Sequence, residues 1–216
     1  MALITTGVFP GPAGQLEYIL NDLPGAAPTH AAVVCHPHPL HGGTMHTRIV
    51  FQTAQGLNEL GAPVLRFHFR GVGKSAGSYD HGVGEQQDLE AAIAFLRQVH
   101  RLPLVLAGFS FGATMVAKLL AAGPRPEVAQ AVLLGLPVDR GAVPHAWGWR
   151  GPKLMISGDQ DEFASRASLE AYYGQLPEPK ARQWIAGGDH FLAGQIPAFR
   201  AALRAQLAPL LLRAGG

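Results

Sequence analysis

The chain has 216 residues, enough for one domain to bury a core without disulfides or metals, and the expectation is a single domain over 1–216. Hydrophobic residues reach 48% and charged residues only 15%, which predicts a well-filled core under an unusually neutral surface. A formal charge of +2, with Arg66, Arg70, Lys74, Arg97 and Arg101 scattered rather than clustered, argues against a nucleic-acid partner.

Residues 3–9 and 16–20 read as a hairpin. From residue 31 onward, short β-type runs alternate with helix-type runs, the pattern of a mostly parallel sheet covered on both faces. The strands expected are 31–35, 63–67, 104–107, 131–134, 154–157 and 181–186, all brief and mostly apolar. Helices are expected at 85–99, with Leu89, Ile93 and Leu96 on one face, at 113–122, where Gly123 and Pro124 stop it, and at 199–212. No uncharged apolar run approaches the ~18 residues of a membrane span, since the tail at 205–212 is broken by Gln206 and Pro209. Met1 to Gly7 has no basic, apolar leader pattern and the lone Cys35 cannot form an internal disulfide, so the expected compartment is the cytoplasm.

Two segments match G-x-S-x-G, against roughly 0.1 chance matches for six serines among 27 glycines. Gly73-Lys74-Ser75-Ala76-Gly77 sits in a stretch with turn chemistry and no helical period, which makes Ser75 a loop serine. Gly108-Phe109-Ser110-Phe111-Gly112 follows a strand and precedes a helix. A nucleophile elbow needs that context, because a tight strand-to-helix turn lifts the serine Oγ above the sheet edge and aims the helix N-terminus at a developing anion.

A serine hydroxyl is a weak nucleophile until a His takes its proton, and that His needs a carboxylate to hold it. The strand at 154–157 ends in Gly158-Asp159-Gln160-Asp161-Glu162, where three acids compete on chemistry alone. After the strand at 181–186 comes Gly187-Gly188-Asp189-His190, and no other His follows the acid turn, so His190 is the expected base. The oxyanion donors expected are the N–H of Phe111 and one from the loop after Cys35. In that loop Pro37 and Pro39 have no N–H to offer, leaving His38 first and Leu40 second.

Three other motifs compete for attention. His36, His38, His41 and His46 have metal-like spacing but no accompanying Asp or Cys, and loop shaping is the favoured reading. Gly71-Val72-Gly73-Lys74-Ser75 resembles the end of a phosphate-binding loop, yet His68 stands where that motif needs Gly. Cys35, beside His36 at a strand end, reads as core.

With these residues placed, the chain resembles the small α/β-hydrolases allied to the dienelactone hydrolase group, across nearly its whole length. The likeness rests on Cys35-His36-Pro37-His38-Pro39, Gly42-Gly43-Thr44-Met45, Phe67-His68-Phe69-Arg70-Gly71-Val72-Gly73, Ser75, Gly77 and Asp88. It implies an α/β-hydrolase fold with a mostly parallel eight-stranded sheet, an acyl-enzyme mechanism, and Asp161 as the acid, three residues after Gly158. Dienelactone hydrolases carry Cys at the elbow, and Ser110 shifts the expectation to ordinary carboxylic esters. Only 18 residues, 135–152, separate the strands that bracket a lid in lipases, and Pro137, Pro144, Trp147 and Trp149 suggest a rigid flap. The expected activity is a lidless short-chain carboxylesterase acting on a small-molecule ester without cofactor or metal. A thioesterase or acyl transferase with the same triad, and a non-catalytic binding module, are the alternatives.

Overall fold

The computed structural model describes residues 3–141 and 143–212, so the reading drawn from Met1 and Ala2 falls outside the described residues. Strands β1 (Leu3–Gly11) and β2 (Gly14–Asp22) form the expected hairpin, extended at both ends of the turn. Then come β3 (Ala31–Cys35), α1 (Arg48–Glu59), β4 (Val64–Phe67), α2 (Gly84–Val99), β5 (Leu104–Phe109) and α3 (Phe111–Ala121). The chain closes with β6 (Val128–Leu134), β7 (Lys153–Gly158), α4 (Arg166–Gln175), β8 (Lys180–Ile185) and α5 (Ile196–Leu211).

The eight strands make one sheet in the order β1-β2-β4-β3-β5-β6-β7-β8. The β1/β2 and β2/β4 pairs are antiparallel and every later pair is parallel. This is the mostly parallel eight-stranded sheet implied by the resemblance. From β3 the chain moves through α1 to β4 on one side, then returns through α2 to β5 on the other. Right-handed crossovers in opposite directions put α1 and α2 on opposite faces. The crevice between the carboxyl ends of β3 and β5 is therefore the switch point where open α/β sheets bind ligands.

Neighbouring residues along each strand divide between two cores. Val33, Leu65, Leu106, Leu133 and Met155 pack with Leu89 and Leu96 of α2, Val116 and Leu120 of α3, and Leu169 and Tyr172 of α4. Their neighbours Val34, Val64, Val105, Val132 and Leu154 pack with Ile49, Val50 and Leu57 of α1 and Phe199, Leu203 and Leu207 of α5. Burial on both faces explains why the strand sequences read as continuous apolar runs rather than alternating ones.

Two details differ from the sequence reading. Helix α3 begins at Phe111 rather than near Ala113, so the turn from β5 is a single residue. Helices α1 and α4 add to the three expected. In α1 the buried residues Ile49, Val50, Ala54 and Leu57 form a helical stripe, and Gly56 lets the helix approach α5, where an added Cβ would lie 2.9 Å from Leu203. Among the described residues no helix is long and apolar enough to cross a membrane.

A buried ion pair fixes the loop after β4 to α2. The backbone N–H of Arg70 donates to Asp88 Oδ2 at 3.0 Å, and its guanidinium spans both carboxylate oxygens at 3.0 and 2.8 Å. The Asp88 side chain has no exposed surface. Breaking such a pair leaves one charge buried without its partner. Asp88→Asn is expected to lower stability by about 3 kcal/mol, read as a lower urea midpoint with an unchanged m value.

Candidate active site

Ser110 is the one residue between β5 and α3, and its backbone stands at φ 55, ψ −116. That left-handed φ is strained for any residue with a side chain and persists only where neighbours over-determine it. Here they do. The Ser110 N–H donates to the Leu134 carbonyl at 2.9 Å, and its own carbonyl accepts the Thr114 N–H at 3.0 Å. A Cβ on Gly108 would overlap the backbone of Gly112, and one on Gly112 would stand 2.5 Å from the Cys35 carbonyl oxygen. The two flanking glycines thus let β5, α3 and the end of β3 meet.

His190 enters from the loop after β8. Its Nδ1 lies 2.9 and 3.0 Å from the two carboxylate oxygens of Asp161, and both side chains are almost fully buried. A carboxylate only accepts, so in the neutral ring the proton sits on Nδ1 and Nε2 is left as an acceptor. Phe109 and Phe163 pack on the imidazole with centroids 5.0 and 4.3 Å away, at interplanar angles of 33° and 31°. Ser110 and His190 line one cleft of about 490 Å³. No hydrogen bond joins them among the described residues, as is common before substrate tightens such a site.

The three acids that compete in the sequence take three separate tasks. Asp159 accepts the Gly187 N–H at 2.8 Å, and Glu162 accepts the His190 N–H at 3.2 Å. Asp161 alone meets the imidazole. All three tie the turn after β7 to the loop after β8, and Gly158 allows the close approach, since a Cβ there would overlap the Gly188 carbonyl. Asp159 and Glu162 were visible in sequence only as rivals of Asp161.

The loop after β3 forms a short 3₁₀ turn, Pro39–His41. The Leu40 N–H is turned onto His38 Nδ1 at 3.3 Å, whereas the His38 and Phe111 amides have no hydrogen-bond partner among the described residues. Both residues line the cleft. Beneath them His36 is fully buried: Nδ1 donates to the Pro37 carbonyl at 2.7 Å, and Nε2 accepts the Phe69 N–H at 3.0 Å. Only the neutral ring can do both, and burial pushes its pKa down to about 3. His36 therefore braces the loop while His38, two residues on, faces the cleft, and His46 packs 5.6 Å from His68. Among the described residues no group of three or more His, Cys, Asp or Glu side chains is arranged to hold a metal.

Ser75 does not reach the cleft. Its hydroxyl donates to the His68 carbonyl at 2.7 Å and accepts the Glu17 N–H at 2.9 Å, fastening the loop after β4 to β2. Cys35 is buried at the end of β3, and desolvation pushes its thiol well above the ordinary range, against any thiolate role. The segment 135–152 holds no helix or strand among its described residues. Trp147 and Trp149 are buried away from the cleft, with Lys153 Nζ 5.7 and 5.2 Å from their rings. The cleft wall on that side is instead Pro137, Arg140 and Gly141. Arg140 and Lys118 escaped the sequence reading, although Lys118 stands eight residues after Ser110, on the same helix face.

Residues 31–197 match the α/β-hydrolase domain family. The chain belongs to that family. This α/β-hydrolase is 31% identical over 210 residues to an uncharacterized protein of Rickettsia prowazekii (strain Madrid E), covering 90% of this chain and 85% of the relative. XC6422 from Xanthomonas campestris, described as an α/β serine hydrolase without lid, is 32% identical. It superposes with a TM-score of 0.89 over 99% of this chain and 97% of its own. An α/β serine hydrolase homologue from Coxiella burnetii is 36% identical, with a TM-score of 0.83 over 94% of this chain and 97% of that one.

The His36 brace has a pH signature. Its folded pKa, about 3, lies below the ordinary 6.5, so the unfolded chain takes up a proton first as pH falls. This contribution to stability is whole above pH 6.5 and is lost progressively from there toward pH 3. His36→Phe, which cannot titrate, is expected to be less stable at pH 7 and to show a flatter acid limb, by up to about 1.4 kcal/mol per pH unit. Urea midpoints across pH 4–7 measure it.

Proposed function

We propose that the protein is a serine carboxylesterase that hydrolyses short-chain carboxylic esters through an acyl-enzyme. Ser110 is the nucleophile, His190 the general base and then acid, and Asp161 the carboxylate that holds the ring. The Phe111 and His38 amides receive the oxyanion. The observation that carries this reading is the meeting, in one cleft, of a serine at φ 55 with an imidazole tied by its far nitrogen to a buried carboxylate.

On this reading His190 Nε2 takes the Ser110 proton as Oγ attacks the ester carbonyl, and the carbonyl oxygen becomes an anion beside the two free amides. The positive end of α3 supports the same charge. Collapse breaks the bond to the alkoxy group, which leaves as an alcohol with the proton from His190. Water, deprotonated by His190, then attacks the acyl-serine; its hydroxyl joins the acyl group and the proton returns to Oγ. Asp161 stabilises the imidazolium in both halves. Nucleophile, base and oxyanion donors all come from the chain, so the chemistry calls for no cofactor.

The walls of the cleft favour a short acyl chain. A cleft of about 490 Å³ between the 137–141 segment and the loop carrying Tyr79 and His81 takes a small ester. A long acyl chain would leave methylenes in water, forgoing about 0.8 kcal/mol for each one not buried.

Acetate and butyrate esters of p-nitrophenol are expected to be hydrolysed faster than the palmitate, and Ser110→Ala to reduce kcat by at least ~10⁴. Asp161→Asn should lose about as much, because the ring then presents the wrong tautomer. Undiminished turnover by Ser110→Ala, or failure of the native protein to react with a fluorophosphonate, would overturn the proposal. Thioester turnover exceeding that of matched oxyesters would reassign the same residues to a thioesterase or acyl transferase.

A further inference from the structure

The cleft beside Ser110 is electrostatically one-sided. Two cationic side chains, Lys118 of α3 and Arg140 of the segment after β6, line it, together with His38, His41 and His81, and among the described residues no Asp or Glu does. Neither Lys118 nor Arg140 forms an ion pair among the described residues. The carboxylates nearest the walls stand outside the lining: Asp139 acts through space on its neighbour Arg140 and Glu85 on His38 and Tyr79, and both also accept backbone N–H groups. Glu85 accepts the Asp80 and Gly82 N–H groups at 2.8 and 2.7 Å, Asp139 accepts the Ser165 N–H at 2.7 Å, and Asp161 and Glu162 hold His190.

Both cations are placed by their surroundings. The Arg140 guanidinium lies 5.2 Å from the centroid of Phe163, the ring that also packs on His190 at 4.3 Å. The guanidinium and the imidazole thus contact the same phenyl ring. Lys118 follows Ser110 and Thr114 at successive four-residue steps along α3, and its Nζ stands beside Gly82, where an added Cβ would be 3.6 Å away. Eight residues of helix amount to about 12 Å, and a helical side chain leans back toward the N-terminus. The ammonium accordingly lies roughly 6–12 Å from the acyl carbon at Ser110. A cleft lined by one sign of charge, with Phe111, Met115, Phe163 and Pro137 as apolar parts of its wall, concentrates ligands of the opposite sign.

We propose that the substrate is an ester carrying an anionic group, a carboxylate above all, which Lys118 and Arg140 bind while Ser110 meets the ester carbonyl. The inference rests on the reading of Ser110 as nucleophile and narrows its substrate class. The span suits a half-ester of a diacid of about five or six carbons. An anion on the alcohol side offers the same chemistry from the other half of the molecule.

The test is a pair of matched series. Mono-p-nitrophenyl glutarate and adipate are compared with p-nitrophenyl pentanoate and hexanoate for the acyl side, and 4-acetoxyphenylacetate with p-tolyl acetate for the alcohol side. In at least one series the anionic member is expected to have a kcat/KM about 10-fold higher, mainly through KM, with the advantage shrinking in 0.5 M NaCl. In Lys118→Met/Arg140→Gln the ratio of anionic to neutral kcat/KM should fall to within about 2-fold of unity. No preference in either series, or a preference that survives the double substitution, overturns the inference while leaving the hydrolase reading standing.

Binding to Ser110→Ala protein, measured by calorimetry with the intact half-ester and its neutral match, settles the anion site even if no ester is turned over. Tighter binding of the anion that disappears with Lys118→Met/Arg140→Gln supports it, and equal affinities overturn it. Fluorophosphonate labelling of the native protein reports separately on the hydrolase reading.

Discussion

Three backbones converge at Ser110, and the rest of the site is arranged around that crowding. The end of β3, the end of β5 and the first turn of α3 approach so closely that Gly108 and Gly112 leave no room for a side chain. With those contacts fixed, Ser110 is forced to φ 55. Strain of this kind, of order 1–3 kcal/mol, holds only because the sheet on either side is rigid. Both cores contribute that rigidity: the side with α2 and α3 packs Leu106 and Val116, and the side with α1 and α5 packs Val105, Ala107 and Phe109.

A second constraint governs the opposite wall of the cleft. The loop bearing His190 contains Gly187 and Gly188, and its position is set by polar contacts as well as by the packing of His190 and Leu192. Asp159, Asp161 and Glu162 supply the polar contacts from a single turn, one to Gly187, one to the imidazole and one to the His190 amide. Across the cleft the division of labour is similar. His36 works inward as a neutral brace, Ser75 and Asp88 hold the loop after β4, and His38 is left free to face the cleft. Polar residues just behind the surface thus set the position of those at it.

How much of this was legible in sequence depended on whether the signal was local. The strands were legible because burial on both faces makes them short, apolar and free of alternation, and Ser110 was separable from Ser75 by what stood before and after it. Helix α1 was not, since β-branched Ile49 and Val50 and the interior Gly56 obscure a stripe that becomes plain once Leu203 of α5 is seen against it. Helix α4 buries only Leu169 and Tyr172 and gives little periodicity to read. The choice among three acids within four residues rests on which oxygen reaches which nitrogen, a matter of ångströms that residue types do not encode. The separate tasks of the two histidines in His-x-His are hidden for the same reason: His36 is buried beneath the loop, whereas His38 lines the cleft.

The irregular segment between β6 and β7 bears on binding in one further respect. Its anchors, Trp147 and Trp149 around Lys153, lie behind the cleft, and its described residues include no helix that could fold across the opening. A site that must first uncover itself binds more weakly in proportion to the fraction of molecules found open. A site that need not uncover itself escapes that penalty. Selectivity in such a site rests on the standing shape and charge of its walls rather than on a closing movement that rejects a poor fit.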